Sequence, residues 1–357
     1  MANIPSSHGP RLAPELIDTI IDYNHADTQT LASCALVAKE WVPSTRYHLF
    51  SNVEISHENA REFIDLLESP QCTFAAAVKG LAINFVPGAQ RWFSELSRCL
   101  FDNGQVHITS IRVQGTTNTN TVIRQEVFNA LQTYFNDIRT LEFGPVIIDS
   151  FAQFSTFLCS FPALETLSCS SIFKVNDQSP DTQFRAPLRR VHLESPSMIV
   201  VLEFLLKHGV LPSIITLSLS YITRRSYNTL SQYLAIRNDC LENLTITLNV
   251  NFSGASMEDF MGAVDLSSLH VLRDLQITTN PSMTPNQAYE LLARISSVHL
   301  RQLEISVGLV QGIARLDIFL ASERFASLKK IRIVGSDWAN IRQALPRCDM
   351  KNMLEQS

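Results

Sequence analysis

Apolar and polar positions follow one recurrent six-residue pattern, apolar-x-x-apolar-x-apolar, which appears ten times after residue 77. Leu241-Glu242-Asn243-Leu244-Thr245-Ile246 is a representative copy. The middle apolar residues of the copies are Leu81, Ile111, Leu141, Leu167, Val191, Leu217, Leu244, Leu275, Leu303 and Ile331, spaced 24 to 31 residues apart. In each copy the last two apolar residues flank a single residue, polar in all but the first, where it is Ala82, so they share one face of an extended segment and the residue between them takes the other. Every copy therefore predicts a short strand half-buried against a core.

Helical spacing fills the intervals. Phe151, Phe154, Phe157 and Leu158 form one apolar stripe, and Val201, Leu202, Leu205 and Leu206 form another. Tyr289, Leu291, Leu292 and Ile295 form a third, after the start signal Thr284-Pro285. A strand and helix of this size cannot bury their apolar faces alone but can do so when neighbouring units stack. The pattern thus predicts an α/β chain of about ten stacked strand-helix units. An open doubly wound α/β sheet is the alternative, but it calls for continuous apolar runs where these strands alternate.

The hexads resemble the leucine-rich-repeat family over roughly residues 75 to 340. That resemblance implies a solenoid with a parallel sheet on its concave face. The family's turn residue, Asn or Cys five positions after the middle apolar one, is met here by Asn249 and Asn280 alone. Val86, Thr116, Val146, Ile172, Pro196, Ile222, Gly308 and Ser336 fill the other places, so an irregular solenoid is expected.

Ahead of the repeats the pattern changes. Pro14 and Glu15 open a short amphipathic helix with the apolar stripe Leu16, Ile17, Ile20 and Ile21, proline and an acid both suiting a first helical turn. Asp27 or Thr28 caps a second helix through Leu31, Cys34, Ala35, Leu36 and Val37. Val42-Pro43 is expected to break the chain before a third short turn carrying Tyr47, Leu49 and Phe50. So small a helical segment has little core of its own and calls for a covering surface.

This segment resembles the F-box, by which substrate receptors attach to the Skp adaptor of SCF-type cullin-RING ubiquitin ligases. Leu12, Pro14, Glu15, Leu16, Ile17, Ile20 and Ile21 match its opening element and first helix. Leu31, Leu36, Val37, Lys39 and Trp41 match its later positions, and Phe50, Val53 and Ile55 fit the apolar run that often follows it in fungal members of the family. The resemblance implies a receptor with a three-helix adaptor-binding module over 12–56. A flexible segment 1–11 would precede it, the repeats would fill 57–345, and a tail would occupy 346–357. The alternative is a scaffolding repeat protein whose helices only cap the first repeat.

Composition fits these expectations. At 357 residues, 45% hydrophobic and 18% charged, the chain is globular in composition, and its net charge of -5 gives no bulk positive field for nucleic acid or a membrane surface. The N-terminal residues carry no secretory leader pattern and no run approaches a membrane span, so a cytoplasmic or nuclear protein is expected. The seven scattered cysteines read as reduced, buried thiols. No phosphate loop, nucleophile elbow, Cys-x-x-Cys pair or His-Glu-x-x-His helix occurs, so neither an enzyme nor a cofactor is expected.

The candidate target surface is the polar face of the strands. The pattern assigns to it Arg112, Glu142, Arg190, His192, Thr216, Ser218, Asn243, Thr245, Asp274 and Gln276. A solvated face without a ligand remains open at each, and the polar loops 115–121 and 174–187 are further candidates.

Overall fold

The structure, a computed structural model, describes residues 12–356 apart from 88–89, 116–120, 178–182, 195–196, 210–212, 237–238, 250–255, 309–312 and 335–336. The expected flexible segment 1–11, the turn positions Thr116, Pro196 and Ser336, and parts of both polar loops lie outside the described residues. The chain forms two compact α/β units, Met1–Thr116 with Glu126–Ile138, and Thr117–Gln125 with Arg139–Ser357.

The first unit opens with the helices α1 (Pro14–Tyr23), α2 (Thr28–Val37) and α3 (Val42–Ser51). Pro14 starts α1, and Asp27 caps α2 by accepting the Thr30 N–H at 3.0 Å. Pro43 departs from expectation. It sits in the first turn of α3 and, needing no donor there, begins a ten-residue helix rather than breaking the chain.

Three parallel strands come next in chain order, β1 (Asn52–Ser56), β2 (Gly80–Phe85) and β3 (Ser110–Gly115). Helices α4 (Ala60–Glu68) and α5 (Arg91–Asp102) carry the chain between them, turning Phe63, Ile64, Phe93, Leu96 and Leu100 inward. Strand β1 is a further departure. Val53 lies opposite Leu81 and Ile55 opposite Ile83, so two residues expected in the helical module are the first rung of the sheet.

The second unit holds an eight-stranded parallel sheet, each strand beside its successor. Its members are β5 (Thr140–Phe143), β7 (Thr166–Cys169), β9 (Arg190–Glu194), β10 (Thr216–Ile222), β11 (Asn243–Asn249), β12 (Asp274–Asn280), β13 (Gln302–Ser306) and β14 (Lys330–Val334). The middle hexad residues face one another in an unbroken row, Leu141, Leu167, Val191, Leu217, Leu244, Leu275, Leu303 and Ile331. All eight are buried. At about 1.5–3 kcal/mol for each buried aliphatic side chain, this row and the helices against it supply the main stabilising term.

A second, three-stranded parallel sheet was not expected. Strands β4 (Val122–Ile123), β6 (Ile147–Ser150) and β8 (Ile172–Val175) pair with Val122, Ile147 and Ile172 side by side. Val146 and Ile172, two of the positions lacking the turn asparagine, belong to this feature, with the Ile172 N–H donating to the Val146 carbonyl at 2.9 Å. Backbone pairing between adjacent turns here replaces the side-chain bonds that asparagines would make. Asn249 and Asn280 are partners across β11 and β12.

The C-terminus is also more ordered than a tail. A short helix, Pro346–Met350, is held where buried Asp317 accepts the N–H groups of Arg347 and Cys348 at 3.1 and 3.0 Å. Residues 353–355 then lie along β14, Ile331 donating to the Met353 carbonyl at 2.6 Å and accepting from the Glu355 N–H at 2.9 Å. The outward backbone groups of Ile331 on the last strand are thereby paired.

Candidate functional site

Two surfaces answer to the residues singled out by sequence. The first is the helical module. Its own core is three residues, Ile17, Ile21 and Leu31, with Trp41 and Leu49 packed partly against them. Two of the residues assigned to an adaptor are thus turned inward, Ile21 fully and Ile17 nearly so, because α1 must bury one stripe against α2 and α3.

The remaining apolar residues face out. Leu12 is 50% exposed, Leu16 54%, Val37 66% and Leu36 89%, an unusual degree for side chains of this size. Pro14, Glu15, Ile20 and Lys39 are exposed beside them. Leu12, Pro14, Ile17 and Trp41 line a groove of about 660 Å³ together with Asp18, Ala38 and Glu40. Buried Thr45 donates to the Trp41 carbonyl at 2.9 Å at the start of α3, and His48 meets Asp22 at 2.7 Å, joining α3 to α1.

The second surface is the polar face of the sheet in the second unit. Asn243, Thr245, Asp274 and Gln276, four of the ten residues assigned to it, are brought together around a pocket of about 150 Å³. Gln302, Glu304, Lys330, Arg332 and Glu355 complete its polar lining. Arg112 stands on β3 in the first unit, while Glu142, Arg190, His192, Thr216 and Ser218 occupy earlier strands of the second, outside the pocket.

A side-chain ladder crosses the pocket floor. Thr245 donates to Gln276 Oε1 at 3.4 Å, Gln276 Nε2 to Glu304 Oε1 at 2.8 Å, and Arg332 to Glu304 Oε2 at 3.2 Å. Glu355 closes it, 3.0 Å from Lys330 and 3.7 Å from Arg332. Both cations of the lining are therefore matched by carboxylates. Burial pushes the Asp274 carboxyl above the usual range, an effect that Glu242 reinforces and the cations Arg301 and Arg273 only partly offset.

Glu355 escaped the sequence reading because the tail carries no hexad, and only its pairing with β14 delivers it to the pocket. Tyr221 was missed as well. A bulge between Ser220 and Ile222 gives it a φ of 59° and leaves its ring on the surface beside β10, which strict alternation does not anticipate. Among the described residues no His, Cys, Asp and Glu cluster is arranged to hold a metal ion, and no helix is long and apolar enough to cross a membrane. No protein-family model matches the chain, and no curated protein matches its sequence.

Proposed function

We propose that the chain is a substrate receptor of an SCF-type cullin-RING ubiquitin ligase, an F-box module on irregular leucine-rich repeats. Residues 12–50 engage the Skp adaptor, and the polar strand face holds a target protein. The receptor's contribution is proximity, with ubiquitin transfer performed by other subunits. The observation that carries this reading is the mismatch within the helical module. Leu16, Leu36 and Val37 lie exposed on helices whose own core is three residues, and Leu12 lies exposed just before the first of them, as expected of a surface built to be covered.

Co-purification with the Skp adaptor tests it. Wild type is expected to bind, and a Leu16→Asp, Leu36→Asp double variant to lose binding while keeping its circular dichroism spectrum. Both positions are exposed, so the change spares the core that a Trp41 substitution would disturb. A folded wild type that fails to bind the adaptor overturns the proposal.

A second reading has its own support. The module also packs against the segment that leads into β2. Phe50 stacks on Phe74 with centroids 4.2 Å apart, and the Lys79 N–H donates to the Ser51 carbonyl at 2.9 Å. A scaffolding protein whose helices only cap the sheet would show these contacts too, and it would not bind the adaptor.

A further inference from the structure

The pocket on the sheet face has an uneven hydrogen-bond inventory. Its occupied groups are the ladder from Thr245 to Glu355, in which Gln276 and Glu304 use both ends of their head groups. The Asn243 amide N–H donates across to Thr216 at 3.2 Å and leaves its own oxygen without a donor among the described residues. Asp274, opposite Asn243 on one side and Gln302 on the other, accepts no hydrogen bond and enters no ion pair among the described residues. The Gln302 head group is likewise unengaged there. Three neighbouring strands therefore present the two Asp274 oxygens, the Asn243 oxygen and the Gln302 Oε1 as acceptors, with the Gln302 NH2 as a neutral donor beside them and, among the described residues, no free cation to balance the carboxylate.

The nearby positive charges do not fill this need. Lys330 and the terminal nitrogens of Arg332 are committed to Glu304 and Glu355, and Arg332 Nε, the remaining donor of that guanidinium, is buried without a partner among the described residues and does not reach Asp274. Arg273 pairs with Glu242 at 3.3 Å, and neither it nor Arg301 lines the pocket. Desolvation outweighs the attraction of both arginines at Asp274, whose carboxyl is raised rather than lowered. A half-buried carboxylate kept without a partner destabilises the fold unless a ligand supplies one.

We propose that this pocket receives a basic side chain of the bound target, the guanidinium of an arginine or the ammonium of a lysine, with Asp274 as its counter-charge and Asn243 and Gln302 as flanking acceptors. The volume, about 150 Å³, suits the tip of one side chain and falls below the roughly 300–1,000 Å³ of a small-molecule site. Strands about 4.8 Å apart set the acceptors at a spacing that a multi-donor cation bridges. The assignment rests on the strand face being the target surface and not on the adaptor-binding role of the helices.

The test titrates full-length protein with Nα-acetyl-arginine amide, Nα-acetyl-lysine amide and the neutral isostere Nα-acetyl-citrulline amide, read by ligand-observed NMR. At least one cationic probe is expected to bind about tenfold more tightly than citrulline, and Asp274→Asn to erase that preference. Gln302→Leu serves as a second variant and is expected to weaken cation binding with the charge at Asp274 intact. Equal binding of all three probes, absence of binding to wild type, or an unchanged preference in Asp274→Asn overturns the proposal. Failure here leaves adaptor co-purification unaffected, and failure of that experiment leaves this pocket's chemistry standing.

Discussion

The Asp317 carboxylate accepts the backbone N–H groups of Arg347 and Cys348 at 3.1 and 3.0 Å from a buried position, one side chain holding the start of the last helix. These are first-turn donors with no partner inside their own helix. Asp317→Ala is expected to cost about 2–4 kcal/mol, since each buried group left unsatisfied costs roughly 1–3 kcal/mol. Asp317→Asn keeps one acceptor and is expected to cost less. Chemical denaturation measures the loss, and hydrogen exchange at the Glu355 amide checks that the segment along β14 is released.

Asp274 has the opposite sign. A carboxyl whose folded value is raised favours the folded state while protonated, and that benefit disappears as pH rises through the folded value. At neutral pH the ionised group therefore lowers stability. Asp274→Asn is expected to raise the denaturation midpoint at about pH 7 and to do so much less at about pH 4. Equal effects at the two pH values would show that charge burial is not the cause.

In the helical module, inward and outward residues separate by their cost. Ile21→Ala removes a fully buried side chain from a three-residue core and is expected to cost about 2–5 kcal/mol. Leu36→Asp, on the surface, is expected to stay within about 0.5 kcal/mol. Thermal melts with limited proteolysis between residues 12 and 51 distinguish the two.

The cysteines correct the expectation that all are buried thiols. Cys169 and Cys348 are buried, Cys240 is exposed, and the other four are intermediate. Burial pushes Cys169 up, while burial with the Asp317 hydrogen bond and charge takes Cys348 up to about 12. At about pH 8 a small maleimide is expected to modify Cys240 first and to spare Cys169 and Cys348 until denaturant is added. Peptide mass spectrometry of the labelled protein reads the order.

The strands were legible in the sequence because a half-buried strand imposes strict alternation, and ten hexads placed ten strands with correct middle residues. Phe50-Ser51-Asn52-Val53-Glu54-Ile55 has the same form, with Val53 standing 28 residues before Leu81. It went unrecognised because its first residues serve at once as the end of a helix. The small sheet of β4, β6 and β8 left no signal, since its strands of two to four residues follow closely on or precede a hexad without repeating its apolar pattern. Four pocket residues were foreseen from alternation on β11 and β12, but which polar groups would satisfy one another depends on distances between strands. Glu355 arrives through a backbone pairing that composition does not encode.

Helix α3 ends at Ser51 and β1 begins at Asn52, with no residue between them to act as a pivot. A partner seated on α1 and α2 would therefore not meet a freely swivelling arm. Its heading would pass directly into the strands of the first unit. Two glycines inserted between Ser51 and Asn52 would then supply the pivot that the junction lacks.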